Sequence, residues 1–239
     1  LRDDTFMKTR DTSAEMLPRD PIVCVLGHVD HGKTTLIDNI KKSYTSEAGG
    51  ITQHINAFKI NYNERSAIFF DTPGHEAFNS MRSNSLLATD IVIVVISMDD
   101  GVRPQTLEAL KIAKSNNCHM IIALNKVDKI PKSDKAIIRS KILTGLVELE
   151  IVPEDFGGDV PVVEISGKTG LGVDSLLETL SFQSDLLALK APVNDYCEAY
   201  IIDAKVDRGL GIVADVLVRW GSLKVGDPVV VYTTFGKVR

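Results

Sequence analysis

"IVCVLGHVDHGKTTLIDNIKK" (22–42) decides how this chain must be read. Its first five residues form a near-continuous apolar run, the pattern of a strand covered on both faces of a parallel sheet. Its last eight, "TLIDNIKK", carry a helical pattern. Between them "GHVDHGKT" (27–34) fits G-x-x-x-x-G-K-[ST], and a strand before with a helix after is the context this motif requires. A loop of Gly27, His28, Val29, Asp30, His31 and Gly32 that ends on a helix N-terminus surrounds a polyphosphate with backbone N–H groups. Lys33 is expected to place a cation on the β- and γ-phosphates, and the Thr34 hydroxyl to ligate Mg²⁺, with Thr35 beside it in the first helical turn. His28 and His31 lie within the loop, where backbone conformation matters more than side-chain ligation.

Outward from this stretch, short apolar runs alternate with longer amphipathic ones. "AIFF" (67–70), "IVIVVI" (91–96), "MIIAL" (120–124) and "VPVVEI" (160–165) read as further buried strands. "PQTLEALKIAKSNN" (104–117) opens on proline, which a first helical turn tolerates. Val173, Leu176, Leu177, Leu180, Ser184 and Leu187 recur at helical spacing. Strand–helix alternation implies an α/β domain with a mostly parallel, doubly wound sheet over residues 21–190. "NAFKINYN" (56–63) followed by "AIFF" predicts one hairpin and an antiparallel edge. Residues 191–239 change texture: "IVADVLVRW" and "DPVVVY" alternate Val and Ile with polar residues, with Gly-containing turns between them. They predict the start of an antiparallel β-barrel, too short to close and so expected to be truncated. Residues 1–20 are polar and unpatterned, an expected arm or linker.

Composition narrows the class. With 27 basic and 32 acidic residues the formal net charge is -5, which does not favour bulk attraction to nucleic acid or an anionic membrane. The three cysteines form no C-x-x-C pair, and read as free thiols in a reducing compartment. The longest apolar run is too short to span a bilayer, so no membrane partner is expected. The chain opens on "LRDD", so a removed targeting segment would be invisible.

Two further loops choose the base. "NKVD" (125–128) follows "MIIAL" and so lies at the strand ends where open α/β sheets bind ligands. Guanine presents two adjacent donors, its ring N–H and its exocyclic amine. Asp128 accepts both in a fork, whereas adenine has no matching pair. Asn125 is expected to brace the loop and the Lys126 stem to cover the base. "SGK" (166–168: Ser166, Gly167, Lys168) follows another strand and offers the Gly167 N–H to the guanine oxygen. In "DTPGHEAF" (71–78), Asp71 ends a strand, where it can hold a water of the Mg²⁺ shell. The Gly74 N–H can reach the γ-phosphate, a group the diphosphate does not have, which makes the loop a switch. "EAGGITQH" (47–54) supplies a second switch, with Thr52 completing the metal site. His75 is either a solvated loop residue or a group that orients the attacking water, and its position favours the second. Val29 and Ile51 are apolar and could gate it.

These motifs resemble the translational GTPases: "GHVDHGKTTL", "DTPGH" and "NKVD" are their signature. Within them, "GGITQH", "DDGVRPQTLEALKIAK", "IIALNKVDK" and "DRGLGIVADVLVRWGSLKVGD" resemble bacterial-type translation initiation factor 2 over roughly residues 20–239. The resemblance implies a monomeric, ribosome-stimulated GTPase that turns GTP into GDP and joins the large ribosomal subunit to an initiation complex carrying initiator tRNA. It implies that ribosomal RNA docks on the switch face and swings His75 into place. It implies Asp30 as ligand of a monovalent cation. Initiator tRNA is bound in that family by a C-terminal domain absent from these residues. The alternatives are an elongation-type translational GTPase and a GTP-dependent scaffold that does not hydrolyse. Glu76 stands where the family has alanine, "MRSNSLLA" (81–88) replaces "MRARGA", and "SGK" replaces "SAK". Such drift leans towards an organellar protein of the mitochondrial matrix, with a bacterial cytoplasm as the alternative.

Overall fold

A computed structural model describes residues 15–45, 57–71, 88–209 and 211–239. In chain order a short strand β1 (Met16–Pro18) precedes β2 (Ile22–Gly27), α1 (Lys33–Tyr44), β3 (Ala57–Tyr62), β4 (Arg65–Asp71) and β5 (Ile91–Ser97). Then come α2 (Pro104–Ser115), β6 (His119–Asn125), α3 (Lys132–Val147), β7 (Val162–Glu164) and α4 (Val173–Leu187). The chain falls into two units, and the larger spans Asp20–Ala188.

The larger unit is a P-loop α/β domain built on a six-stranded sheet of order β3-β4-β2-β5-β6-β7. Strands β4, β2, β5, β6 and β7 run parallel, and β3 is antiparallel to β4. The expected hairpin is therefore present. Its turn uses Asn63 and Glu64, both left-handed at φ 45 and 62, the pairing a two-residue hairpin turn needs. After β2 the chain passes to β3 and β4 on one side, then crosses to β5 on the other. The winding reverses at β2, and a crevice opens there at the carboxyl ends of the strands.

The central strands read as unbroken apolar runs because each face meets helices. Val23, Val25, Ile91, Ile93, Val95, Ile121 and Ala123 point to the side of α1 and α4. Their neighbours Cys24, Leu26, Val92, Val94, Ile96, Ile122 and Leu124 point to the side of α2 and α3. Each fully buried Val, Leu or Ile stabilises by about 2 kcal/mol relative to exposure. Helix α2 begins on Pro104 and stops at Asn116, whose backbone and side-chain N–H groups both donate to the Ile112 carbonyl. Two elements depart from the sequence expectation. Strand β7 covers only residues 162–164, because Pro161 has no N–H to donate and Val160 bridges to Pro153. Helix α3 is additional. Its pattern is faint because only Ile142, Leu143 and Leu146 are buried, while Ile137 is 72% exposed.

The second unit combines residues up to Arg19 with Leu189–Arg239. It holds β8 (Lys190–Pro192), β9 (Glu198–Asp207), β10 (Gly211–Trp220), β11 (Pro228–Val231) and β12 (Thr234–Lys237). They form small antiparallel sheets, β1 with β8, β9 with β10 and β11 with β12. The expected polar arm thus contributes a strand, with Leu17 opposite Ala191. Among the described residues no ladder joins these pairs into a barrel wall. The Trp220 indole donates to Asp195 Oδ2 at 2.9 Å, and the Gly221 N–H to the Pro192 carbonyl at 3.1 Å, which ties the end of β10 back to β8 and the segment after it.

Candidate functional site

The loop between β2 and α1 is shaped by close approaches that only glycine permits. A Cβ on Gly27 would lie 2.4 Å from the Val95 carbonyl oxygen of β5, and Gly27 has φ 146. A Cβ on Gly32, at φ 85, would lie 2.5 Å from Asn125 Nδ2. Asp30 is left-handed at φ 63. The Lys33 ammonium is buried and donates to the Gly27 and His28 carbonyls at 2.9 and 2.7 Å. The loop is therefore curved around a cation. Thr34 and Thr35 stand exposed on the first turn of α1, which Gly32 precedes with no side-chain cap. Such a turn leaves N–H groups directed at whatever occupies the loop. The Val29 N–H is held by Gln105 Oε1 of α2 at 3.1 Å.

Asn125 joins the phosphate loop to the base loops. It is 2% exposed at the end of β6. Its Nδ2 donates to the His31 carbonyl at 2.8 Å, and its Oδ1 accepts the Lys126 and Gly167 N–H groups at 2.8 and 2.9 Å. The bracing role expected of Asn125 is present and extends across all three loops. One expectation is corrected. The sequence reading offers the Gly167 N–H to the guanine oxygen, but here that N–H donates to the buried Asn125 Oδ1 at 2.9 Å. The position also packs against α1: a Cβ on Gly167 would meet the Leu36 backbone at 3.0 Å, so the glycine of "SGK" relieves a tight approach. Ser166 is fully buried and its hydroxyl accepts the Thr169 N–H at 3.2 Å, while Lys168 is exposed. Lys126 is left-handed at φ 65 and opens a single 3₁₀ turn, Val127–Lys129, on which Asp128 is exposed. Asn125→Ala is expected to lower fold stability by about 2 kcal/mol, because it strands buried donors and an acceptor at once. A chemical melt of the two proteins measures this, and an unchanged midpoint would remove the brace.

A second set of interactions has no counterpart in the sequence expectations. His31 is 1% exposed. Its Nδ1 lies 3.3 Å from the Val95 carbonyl and its Nε2 3.3 Å from Asp100 Oδ2. Burial lowers its pKa and outweighs these long approaches to two acceptors. Asp100 is pulled down to about 2, first by its ion pair with Arg103, then by His31. The only advance signal is position: residues 98–105 follow β5 at the same sheet edge as the phosphate loop.

Thr52, Gly74 and His75 fall outside the described residues. Asp71 ends β4 in register with Val25, one strand from the phosphate loop, which is where a metal-shell acid would be needed. Asp71 closes β4 and Thr34 lies in the first turn of α1, and a carboxylate and a hydroxyl are oxygen donors of the kind that would hold a phosphate-bound Mg²⁺.

A phosphate loop at the switch point of such a sheet, cross-braced to two loops at later strand ends, defines a P-loop GTPase domain. Over residues 41–184, more than half of its length, the sequence matches the elongation factor Tu GTP binding domain, and the chain belongs to that family of translational GTPases. GDP-bound aIF5B from Aeropyrum pernix is similar at 30% identity and TM-score 0.76, covering 89% of this chain and 44% of that one. The bacterial selenocysteine-specific elongation factor EF-Sec is similar at 25% identity and TM-score 0.70, over 92% of this chain and 38% of that one. Translation elongation factor SelB from Methanococcus maripaludis shares the fold, at 23% identity and TM-score 0.71, over 88% of this chain and 44% of that one. The chain thus spans less than half of each.

Proposed function

We propose that this chain is the GTP-hydrolysing core of a translation initiation factor of the bacterial and organellar factor 2 type. The observation that carries the nucleotide reading is Asn125, whose side chain locks the phosphate loop to both base loops. That geometry suits one ligand that spans both ends. The chain's residues divide the work. The loop from Gly27 to Gly32 and Lys33 hold the phosphates. Asp128 selects guanine and Lys126 covers it. Thr34, Thr52 and Asp71 hold Mg²⁺, and Asp30 a monovalent cation. Gly74 reports the γ-phosphate, and His75 orients the water. The initiation role is supported by "GGITQH" and "DDGVRPQTLEALKIAK" and by the similarity to aIF5B. The elongation reading is favoured by the similarity to EF-Sec.

Nucleotide titration with GTP, GDP and ATP tests the first part, and binding of ATP as tight as GTP would sink it. Single-turnover GTP cleavage tests the second. Stimulation by large ribosomal subunits meeting initiation complexes is expected, and stimulation only by ribosomes receiving elongator tRNA would favour the elongation reading. No cleavage under either condition would leave a non-hydrolysing scaffold.

A further inference from the structure

Asp99 stands in the turn after β5, outside every residue assigned above, and its carboxylate faces the base end of the site. Its two oxygens lie 3.4 Å from Lys126 Nζ and 3.3 Å from Lys129 Nζ. The Ser97 hydroxyl, on a residue with no exposed surface, donates to the same carboxylate. Asp99 is thus a fixed anion with two ammonium groups of one loop gathered on it. Its burial works against ionisation, but Ser97, Lys129 and Lys126 outweigh this and hold its carboxyl below the ordinary range.

Exposed ion pairs commonly contribute little, because two long side chains must be ordered to make them. Here most of that ordering is already done. The acid is pinned by Ser97. The lysine is pinned at its root, since Lys126 is left-handed and its N–H is held by Asn125 Oδ1 at 2.8 Å. Lys126 is also only 21% exposed at its side chain and Asp99 32%, so water screens the pair incompletely. With root and tip both held, the aliphatic stem of Lys126 has a set course over the turn that carries Asp128.

We propose that Asp99 is a positioning residue of the nucleotide site: it holds the Lys126 stem over the guanine plane and so sets how long the nucleotide stays bound. The proposal rests on the GTPase reading and adds a determinant of residence time to it. Asp99 touches no nucleotide and acts through Lys126. Its neighbour Asp100 holds His31 of the phosphate loop, so adjacent residues of one turn serve the two ends separately.

The test follows release of methylanthraniloyl-GDP from the full chain by stopped flow, for the parent, Asp99→Asn and Asp99→Glu. Asp99→Asn should release the probe faster by roughly fivefold, the upper range for a partly screened pair, with its association rate unchanged. Asp99→Glu should recover most of the parental residence time. Raising the salt should hasten release from the parent more than from Asp99→Asn. Inorganic pyrophosphate, which has no base, should compete equally well in all three proteins. A general loosening of the fold would weaken pyrophosphate in step and lower the melting temperature. Parental release from Asp99→Asn, or pyrophosphate binding that falls in parallel, overturns the inference. If the parent fails to bind the probe, it is the GTPase reading that fails, and this inference with it.

Discussion

Asp128→Asn is expected to lose GTP affinity on the order of a thousandfold, several kcal/mol, while keeping its fold. In the proposed function the carboxylate is the double acceptor for guanine's two donors. An amide replaces one acceptor with a donor, so a donor meets a donor, and a site built to hydrogen-bond its ligand rejects such a mismatch strongly. The fold should not notice. Asp128 is exposed, and its turn is held by other groups: Val127 is buried with its N–H on the Ile165 carbonyl at 3.2 Å, and the Lys129 N–H bonds the Lys126 carbonyl at 3.0 Å. Xanthosine triphosphate carries a carbonyl where guanine has its amine, so it should gain affinity for the variant as GTP loses it. Competition titrations of both nucleotides, with a thermal melt as control, decide the matter. GTP bound as tightly as by the parent would show that Asp128 does not read the base.

His75→Ala is expected to leave GTP and GDP binding nearly intact and to slow ribosome-stimulated hydrolysis by on the order of a hundredfold or more. Lys33 provides the contrast. It is built into the phosphate loop, bonded to the Gly27 and His28 carbonyls, so replacing it disturbs ground-state binding and loop shape together. A group that only aligns the attacking water acts in the transition state, and its loss appears in the chemical rate alone. His75→Gln should recover part of the rate, since an amide also orients water. The measurements are nucleotide titration and single-turnover hydrolysis on ribosomes. Loss of GTP binding would make His75 structural, and an unchanged rate would make it a bystander.

Much of this molecule is legible along the chain because it depends on local pattern. Strands β2, β5 and β6 carry continuous apolar runs since helices cover both their faces, and that demand leaves a mark on every residue. The hairpin of β3 and β4 announces itself through "NAFKINYN" followed by "AIFF". The phosphate and base loops are legible because ligand chemistry restricts them to few residue types at set spacings. Helix α3 leaves little trace, because its buried residues cluster at one end and Ile137 faces solvent.

What only the tertiary structure decided are the pairings between residues far apart in the chain. Asn125 reaches His31 across 94 positions and Gly167 across 42, so the Gly167 N–H that local spacing assigns to the base is taken by a side chain no local window contains. His31, a phosphate-loop residue whose side chain has no special use in a local reading, is buried against Val95 and Asp100 because β5 runs beside β2. Asp99 meets Lys126 for the same reason: β5 and β6 are neighbours in register, with Ser97 opposite Asn125. A hydrogen bond or ion pair fixes where two groups meet but constrains each residue type only weakly. Apolar burial and phosphate chemistry, by contrast, constrain type and spacing along the chain itself. The kind of domain is therefore written in the order of its residues, while the bracing of its site exists only once the strands lie side by side.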